Sequence, residues 1–349
     1  MLILRKISLI ILLCFSALIF SSCGGDSRPV LKVYNAGKYI DPTVIEEFEQ
    51  LHNCRVVYDE FDSNESMCVQ IANNTYTYDI VVPSDYYIDR LIQEGRAEKL
   101  DKSKMPNVAN LDTQYLNPVY DPGNIYSVPY MVGTIGILYN KAKTGVEEKD
   151  VTFGMLFDKK YKGQIFMLDS VRDALGVALI HLGYSVNSTS TKELNEAKNL
   201  LINQKPLVQA YITDEMVDKM VAGEGLLTLA YSGEAAYALS LDENDELSYA
   251  VPKEGSNKWV DGFVVLKTGK QKDLAMKFID FMCSQDIAQR NMIETGYVSP
   301  VLGTEPEEES DTEVYYPKAE TLANCEAFTY SAKVIEKYSD IWLSVQLSN

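Results

Sequence analysis

From Leu31 to Gly95 strand and helix patterns alternate without a gap, and this alternation restricts the fold more than any other feature of the chain. LKVYNA (31–36) reads as a strand. Asp41 then caps a helix with Pro42 at its first position, and Ile45, Phe48 and Leu51 recur at helical spacing. CRVVYDEF (54–61) returns as a β-rich segment, and SNESMCVQIAN (63–73) is a shorter helix with Ser63 as its cap. TYDIVVPS (77–84) suits a buried parallel strand, and DYYIDRLIQEG (85–95) is a helix stopped by Gly95. Two βαβ units in so short a span argue for an open, mostly parallel sheet. Such sheets bind ligands beyond the carboxyl ends of their strands, where NAGKY (35–39) and PSDYY (83–87) fall.

The remainder is long enough for a second α/β unit, the chain having 349 residues. IYSVPYMVGTIGILYN (125–140) reads as two strands around Gly133, with passage to a second domain near Tyr139. YKGQIFMLDS, LLTLAYSG and LSYAVPKEGSNKWVDGFVVLK supply further strands. Helices are expected from Val171, from Thr191 to about Asn203, over 215–222 and over 234–240. KDLAMKFIDFMCSQDIAQRNMIETG (272–296) reads as a long amphipathic helical region, and helices finish the chain. The charge run EPEEESDTE (305–313) reads as a solvated loop. No internal repeat is present.

The amino terminus gives the location. Arg5 and Lys6 precede an apolar run from Ile7 to Phe20, then Ser21, Ser22 and Cys23, which is a secretory layout. It resembles a bacterial lipoprotein signal, with Phe20 where an aliphatic residue is usual. That resemblance implies a signal over 1–22 and a lipidated tether over 23–29 with Cys23 acylated; ordinary secretion and an uncleaved anchor are the alternatives. Fifty acidic residues stand against 32 basic ones, a formal charge of −18. A body this acidic lacks the dense Lys/Arg field that phosphate recognition needs, so nucleic acid is excluded as a partner. Beyond Cys14 and Cys23, Cys54, Cys68, Cys283 and Cys325 form no CxxC pair, and either a Cys54–Cys68 bridge or buried thiols is compatible with them.

Enzyme signatures are absent. His52 and His181 are the only histidines and read as structural or surface groups, which leaves no HExxH and no nucleophile–His–acid set. Walker A, GxSxG and GxGxxG patterns are missing, and paired carboxylates prove nothing in so acidic a chain. No cofactor is expected. The 23 tyrosines stand out, several of them at loop mouths beside acids. Trp259 and Asp261 lie two apart in KWVDG, so on a strand they share one face. Aromatic faces attract ammonium groups, and carboxylates give them charge-assisted hydrogen bonds. Adjacent tyrosines at 86–87 and 315–316 are weak candidates for metal ligation, because neighbouring side chains diverge.

In order and spacing, YDEFDSNESM, YDIVVPSDYYIDRLIQEG, LDKSKMPNVANLD, YSVPYMVGTIGILYN, the YKGQ–DSVRDALGVALIHLGYS block and VPKEGSNKWVDGFVVL resemble the PotD-type spermidine/putrescine-binding proteins of bacterial ABC importers. The resemblance covers nearly the whole chain after the signal. It implies an α/β, periplasmic-binding-protein-like fold: two lobes joined by crossover strands around a central ligand cleft. One lobe would hold about 30–135 and 260–305, the other 136–259 with 306–349. It also implies a non-enzymatic, monomeric, lipid-anchored protein on the extracytoplasmic face of a membrane, delivering putrescine or spermidine to a permease. A sensor or surface interaction module on the same fold, or a carrier of another solute, is the alternative.

Carried over by position, the ligand-binding residues are Tyr39, Ser84, Tyr86, Asp173, Tyr231, Trp259, Asp261 and Tyr297. Asp173 stands where Glu is usual and Tyr231 where Trp is usual. Four positions depart: Ala36 for a stacking Trp, Lys38 for an acid, Ser170 for the other acid of a DxxE pair, and Phe328 for a Gln. The resemblance therefore implies Asp173 and Asp261 clamping one terminal amine, a poorly supplied opposite end, and a preference for putrescine over spermidine.

Overall fold

The computed structural model describes residues 26–73, 76–212, 215–305, 314, 317 and 319–348. The signal, Cys23, residues 306–313 of the acidic run and the pair Tyr315–Tyr316 lie outside them.

Local signals place the first elements. β1 (Val30–Ala36) leads to the helix Pro42–His52, where Asp41 Oδ1 accepts from the Thr43 amide at 2.8 Å. β2 (Arg55–Phe61) lies parallel to β1. The helix Asn64–Asn73 follows, with Ser63 Oγ accepting from the Ser66 amide at 3.1 Å. The helix Asp85–Gln93 ends before Gly95, whose φ of 68° only glycine adopts without cost. Between them TYDIVVPS forms a ladder of only two residues, β3 (Ile80–Val81), parallel to β1 and antiparallel to the late strand β9 (Lys258–Val265). Pro83 has no amide to extend it. The buried Asp79 carboxylate instead accepts from the amides of Lys32, Lys270 and Gln271, tying the strand ends together.

Downstream, IYSVPYMVGTIGILYN is one strand, β4 (Ser127–Asn140), where two were expected. Its first half pairs antiparallel with β9, from Ser127 opposite Val264 to Thr134 opposite Lys258. From Ile135 onward it pairs with β7 (Leu227–Tyr231) and β8 (Leu247–Ala250). The chain thus changes strand partners at Thr134–Ile135. Gly133 and Gly136 are spacers rather than breakers. A Cβ on Gly133 would lie 2.3 Å from Trp259 Cζ2, and one on Gly136 2.5 Å from Tyr249 Cζ. β5 (Ile165–Leu168) and β6 (Val208–Ile212) complete the order β2-β1-β3-β9-β4-β7-β5-β6, with β8 against β4. The helical region expected over 272–296 consists of two helices, Lys272–Met282 and Gln285–Thr295, divided where Ser284 is extended (ψ 142°).

One buried cluster packs Leu31, Val33, Phe48, Phe263 and Phe278 on the β1 side. Another runs from Tyr86, Tyr87 and Ile88 through Phe328 to Leu175, Leu179 and Trp342. Cys54, Cys68, Cys283 and Cys325 are free buried thiols, which answers the open Cys54–Cys68 alternative. His52 packs on Phe48 and His181 stacks on Phe157. Among the described residues no helix is long and apolar enough to cross a membrane.

Candidate functional site: a ligand cleft beside the crossing strands

Most candidate side chains are presented at or near the end of an element, while Asp261 projects from the middle of β9. Tyr39 follows the turn after β1, in which Lys38 is exposed at φ 54°. Tyr130 Oη fixes that turn by donating to the Tyr39 carbonyl at 2.7 Å. Tyr39 Oη then donates to Asp261 Oδ2 at 2.9 Å. Ser84 occupies the cap position of the helix Asp85–Gln93 but makes no side-chain cap bond there. It is held by Asn64, which donates from Nδ2 to Ser84 Oγ and accepts from the Ser84 amide. A β-bridge sets Ser84 opposite Asp261.

On the other side, Asp173 is in the first turn of the helix Val171–His181 and Tyr231 ends β7. Asp173 Oδ2 accepts from Ser170 Oγ at 2.5 Å and Tyr231 Oη at 2.6 Å. Between these groups lies a row of rings. Centroids are 6.5 Å apart for Tyr231–Trp259 and 5.3 Å for both Trp259–Tyr297 and Tyr297–Tyr39. Tyr297 lies flat over Gly233, where a Cβ would meet three ring carbons at 2.6 Å. Seven of the eight expected residues thus form one contact chain. Tyr86, the eighth, joins through the Arg172 guanidinium and edge-to-face contact with Phe328.

The two carboxyls belong to separate hydrogen-bonded groups, each with its own phenol. Burial pushes Asp261 up to about 6, against the opposing pull of the Ser84 and Tyr39 hydroxyls. Burial also raises Asp173, opposed by Ser170, Tyr231 and Arg172. Burial holds the Tyr39, Tyr86, Tyr231 and Tyr297 hydroxyls far above the usual phenol range, so they remain donors. Two buried polar atoms of this group, Asp261 Oδ1 and Trp259 Nε1, have no hydrogen-bond partner among the described residues. Such atoms are costly unless something pairs with them.

Several groups were not legible from the sequence. Asp85 is buried with Oδ1 on the Tyr86 amide at 2.7 Å, and burial pushes it up to about 8, with the Asp261 charge adding to the rise. Glu65 is half-buried and its charge reaches Tyr86 and Asp173. Arg172, Asn64, Gly133 and Gly233 complete the set. Only the adjacency of Arg172 to Asp173 is visible in the primary structure. Of the four departures, Ser170 hydrogen-bonds Asp173, Lys38 is exposed, Ala36 is half-buried and Phe328 is buried under Arg172.

Comparison with known proteins gives a consistent result. Residues 43–318 match the family described as bacterial extracellular solute-binding protein. The chain is 35% identical over 318 residues to the spermidine/putrescine-binding periplasmic protein of Escherichia coli (strain K12), covering 89% of each. It is 30% identical over 298 residues to a putrescine/cadaverine-binding protein of Pseudomonas aeruginosa, covering 82% of this chain and 84% of that one. A putative spermidine/putrescine ABC transporter from Listeria monocytogenes superposes with a TM-score of 0.86 at 38% identity, over 92% of this chain and 99% of that one. The TpPotD lipoprotein of Treponema pallidum gives 0.80 at 27% identity, over 90% and 99%.

Proposed function

The chain belongs to the bacterial extracellular solute-binding protein family, and from that premise we propose that it is the extracytoplasmic polyamine-binding component of an ABC importer. Asp261 Oδ1 carries the reading: a buried carboxylate oxygen with no donor, beside a row of aromatic rings. An ammonium supplies the missing donors, and methylenes between ammonium groups pack on the rings. The Tyr39–Asp261 group forms one pole and Tyr231–Asp173 the other, with Ser84 and Tyr86 bordering them. A short diamine such as putrescine suits two poles better than spermidine does. The family's non-catalytic role accords with a site whose tyrosines hold their protons.

On this reading the lobes divide at about 30–135 with 260–305 and 136–259 with 306–349. The change of β4 partners after Thr134 and the start of β9 at Lys258 support that division. Closing the lobes over the amine presents the loaded shape to a membrane permease, and the protein acts as a monomer. Cys23 carries the lipid anchor. Cells expressing Cys23→Ala should release the protein from the membrane fraction, and unchanged membrane retention would refute acylation at Cys23.

Calorimetric titration of the ligand-stripped protein with putrescine, cadaverine and spermidine tests the amine assignment. Micromolar or tighter binding of at least one amine is expected. The ammonium selects ionised Asp261, so binding below pH 6 must expel a proton. Affinity should fall by up to about tenfold per pH unit as pH drops from 6 to 5, and stay flat between 6.5 and 7.5. Silence from all three amines would refute the function. Binding that ignores pH between 5 and 6.5 would remove Asp261 from the pole.

A further inference from the structure

Two basic segments, RAEKLDKSK (96–104) and KTGKQK (267–272), border the ends of β1, β3 and β9 that are remote from the cleft. Together they carry seven lysines and arginines against two acids, in a chain whose formal charge is −18. A bridge between Ala97 and Leu266, and the bond from the Lys267 amide to the Arg96 carbonyl at 2.8 Å, set them side by side. Asp79 ties them to the start of β1, since its carboxylate accepts from the amides of both Lys32 and Lys270. The acids are engaged locally: Glu98 pairs with Lys272, and Asp101 accepts from the Ser103 amide and hydroxyl. Just outside the segments, Asp273 pairs with Lys104 and Glu94 with Arg96. Lys99, Lys102, Lys267 and Lys270 remain exposed and form no ion pair among the described residues.

The amino-terminal segment enters at this same end. Arg28 donates to the Cys54 carbonyl at 3.1 Å, beside the first residue of β1. Cys23 lies three residues before Asp26, so a lipid there leaves at most about 11 Å of chain between bilayer and body. We propose that this lysine rim is a membrane-facing surface that rests on anionic lipid headgroups and directs the ligand cleft outward. The inference rests on the extracytoplasmic placement, and the anchor at Cys23 brings the rim within reach. An anionic surface attracts lysines within a Debye length, about 8 Å at physiological salt, so acids elsewhere on the body weigh little against the rim. β1 runs from the rim to Ala36 and the turn before Tyr39, while β9 returns from Trp259 and Asp261 to Val265. Seven residues of strand put rim and cleft about 20 Å apart. A body seated on its rim therefore holds its cleft toward the incoming solute, and it must tilt or lift to meet a permease.

The test uses the chain from Gly24, which keeps every described residue, and vesicles of phosphatidylcholine with or without phosphatidylglycerol. At about 25 mM salt the protein should sediment with the anionic vesicles only, and about 300 mM salt should release it. Lys99→Glu/Lys267→Glu/Lys270→Glu should weaken that binding by about tenfold or more, thermal unfolding confirming the fold. Lys159→Glu/Lys160→Glu/Lys162→Glu, an equal charge change ahead of β5, should keep it within about threefold. Labelling gives a second readout that needs no charge reversal, because Cys54, Cys68, Cys283 and Cys325 are buried. Anionic vesicles should slow the reaction of a water-soluble maleimide with Lys270→Cys by about fivefold or more. The rate at Lys38→Cys, exposed in the turn beside the cleft, should not change. Binding to both vesicle types, equal losses from the two triple variants, protection at 38 rather than 270, or no binding at low salt overturns the proposal. The amine titration and the Cys23→Ala fractionation are read separately, so failure here leaves the solute and anchor readings standing.

Discussion

Asp261→Asn should weaken binding of the preferred amine by about 150- to 5,000-fold and leave the fold intact. The carboxylate is the charged partner of a desolvated ammonium, and truncating one side of such a pair costs about 3–5 kcal/mol. Asparagine keeps the shape, and its carbonyl still accepts from Tyr39 Oη, as Asp261 Oδ2 does at 2.9 Å. The unliganded protein gains from the exchange. A carboxyl raised from 3.8 to about 6 is less comfortable ionised in the fold than in the unfolded chain. Its cost to stability is absent at low pH and is fully present above pH 6. At pH 7 the variant should melt at the same temperature as the wild type or higher, by calorimetry or circular dichroism. Retained affinity within threefold would remove Asp261 from the site.

Gly133→Val should do the reverse, damaging the fold first and the site as a consequence. The added Cβ would lie 2.3 Å from Trp259 Cζ2 and 2.9 Å from both Trp259 Cε2 and Ser232 Oγ, closer than side-chain packing permits. Overpacking of this kind costs about 1–3 kcal/mol, and at roughly 2–4 °C per kcal/mol the melting temperature should fall by several degrees. Trp259 must move, and its ring is the middle of the row that joins Tyr231 to Tyr297. Amine affinity should drop with it. Trp259→Ala removes the clashing ring, so the stability cost of Gly133→Val should shrink in that background. A Gly133→Val protein melting within a degree of the wild type would show that the strand yields there without strain.

What sequence discloses depends on how local each cause is. The Asp41 and Ser63 caps and the stop at Gly95 act within a few residues, and those ends are where they were expected. β4 was misread because glycine is a breaker when only its neighbours are considered. Its two glycines are spacers for Trp259 and Tyr249, rings far along the chain. The site is further still from local legibility: Tyr39 and Asp261 are bonded across 222 positions, Asp173 and Tyr231 across 58. Periodicity placed Trp259 and Asp261 on one strand face, and only the ordered family resemblance gathered the rest. Arg172 shows the limit. A buried arginine beside an aspartate reads as surface until Phe328 and Tyr338 arrive from the far end of the chain.

β9 contributes Trp259 and Asp261 and is also hydrogen-bonded to β4 immediately before β4 passes into the other sheet. The proposed ligand contacts and the crossing between the sheets therefore lie on paired strands. On the proposed amine reading, ligand release would be coupled to the opening of the lobes that these strands join. Dissociation rates of chemically different amines should therefore converge on a common ceiling, with selectivity among them expressed in how often each survives the first encounter.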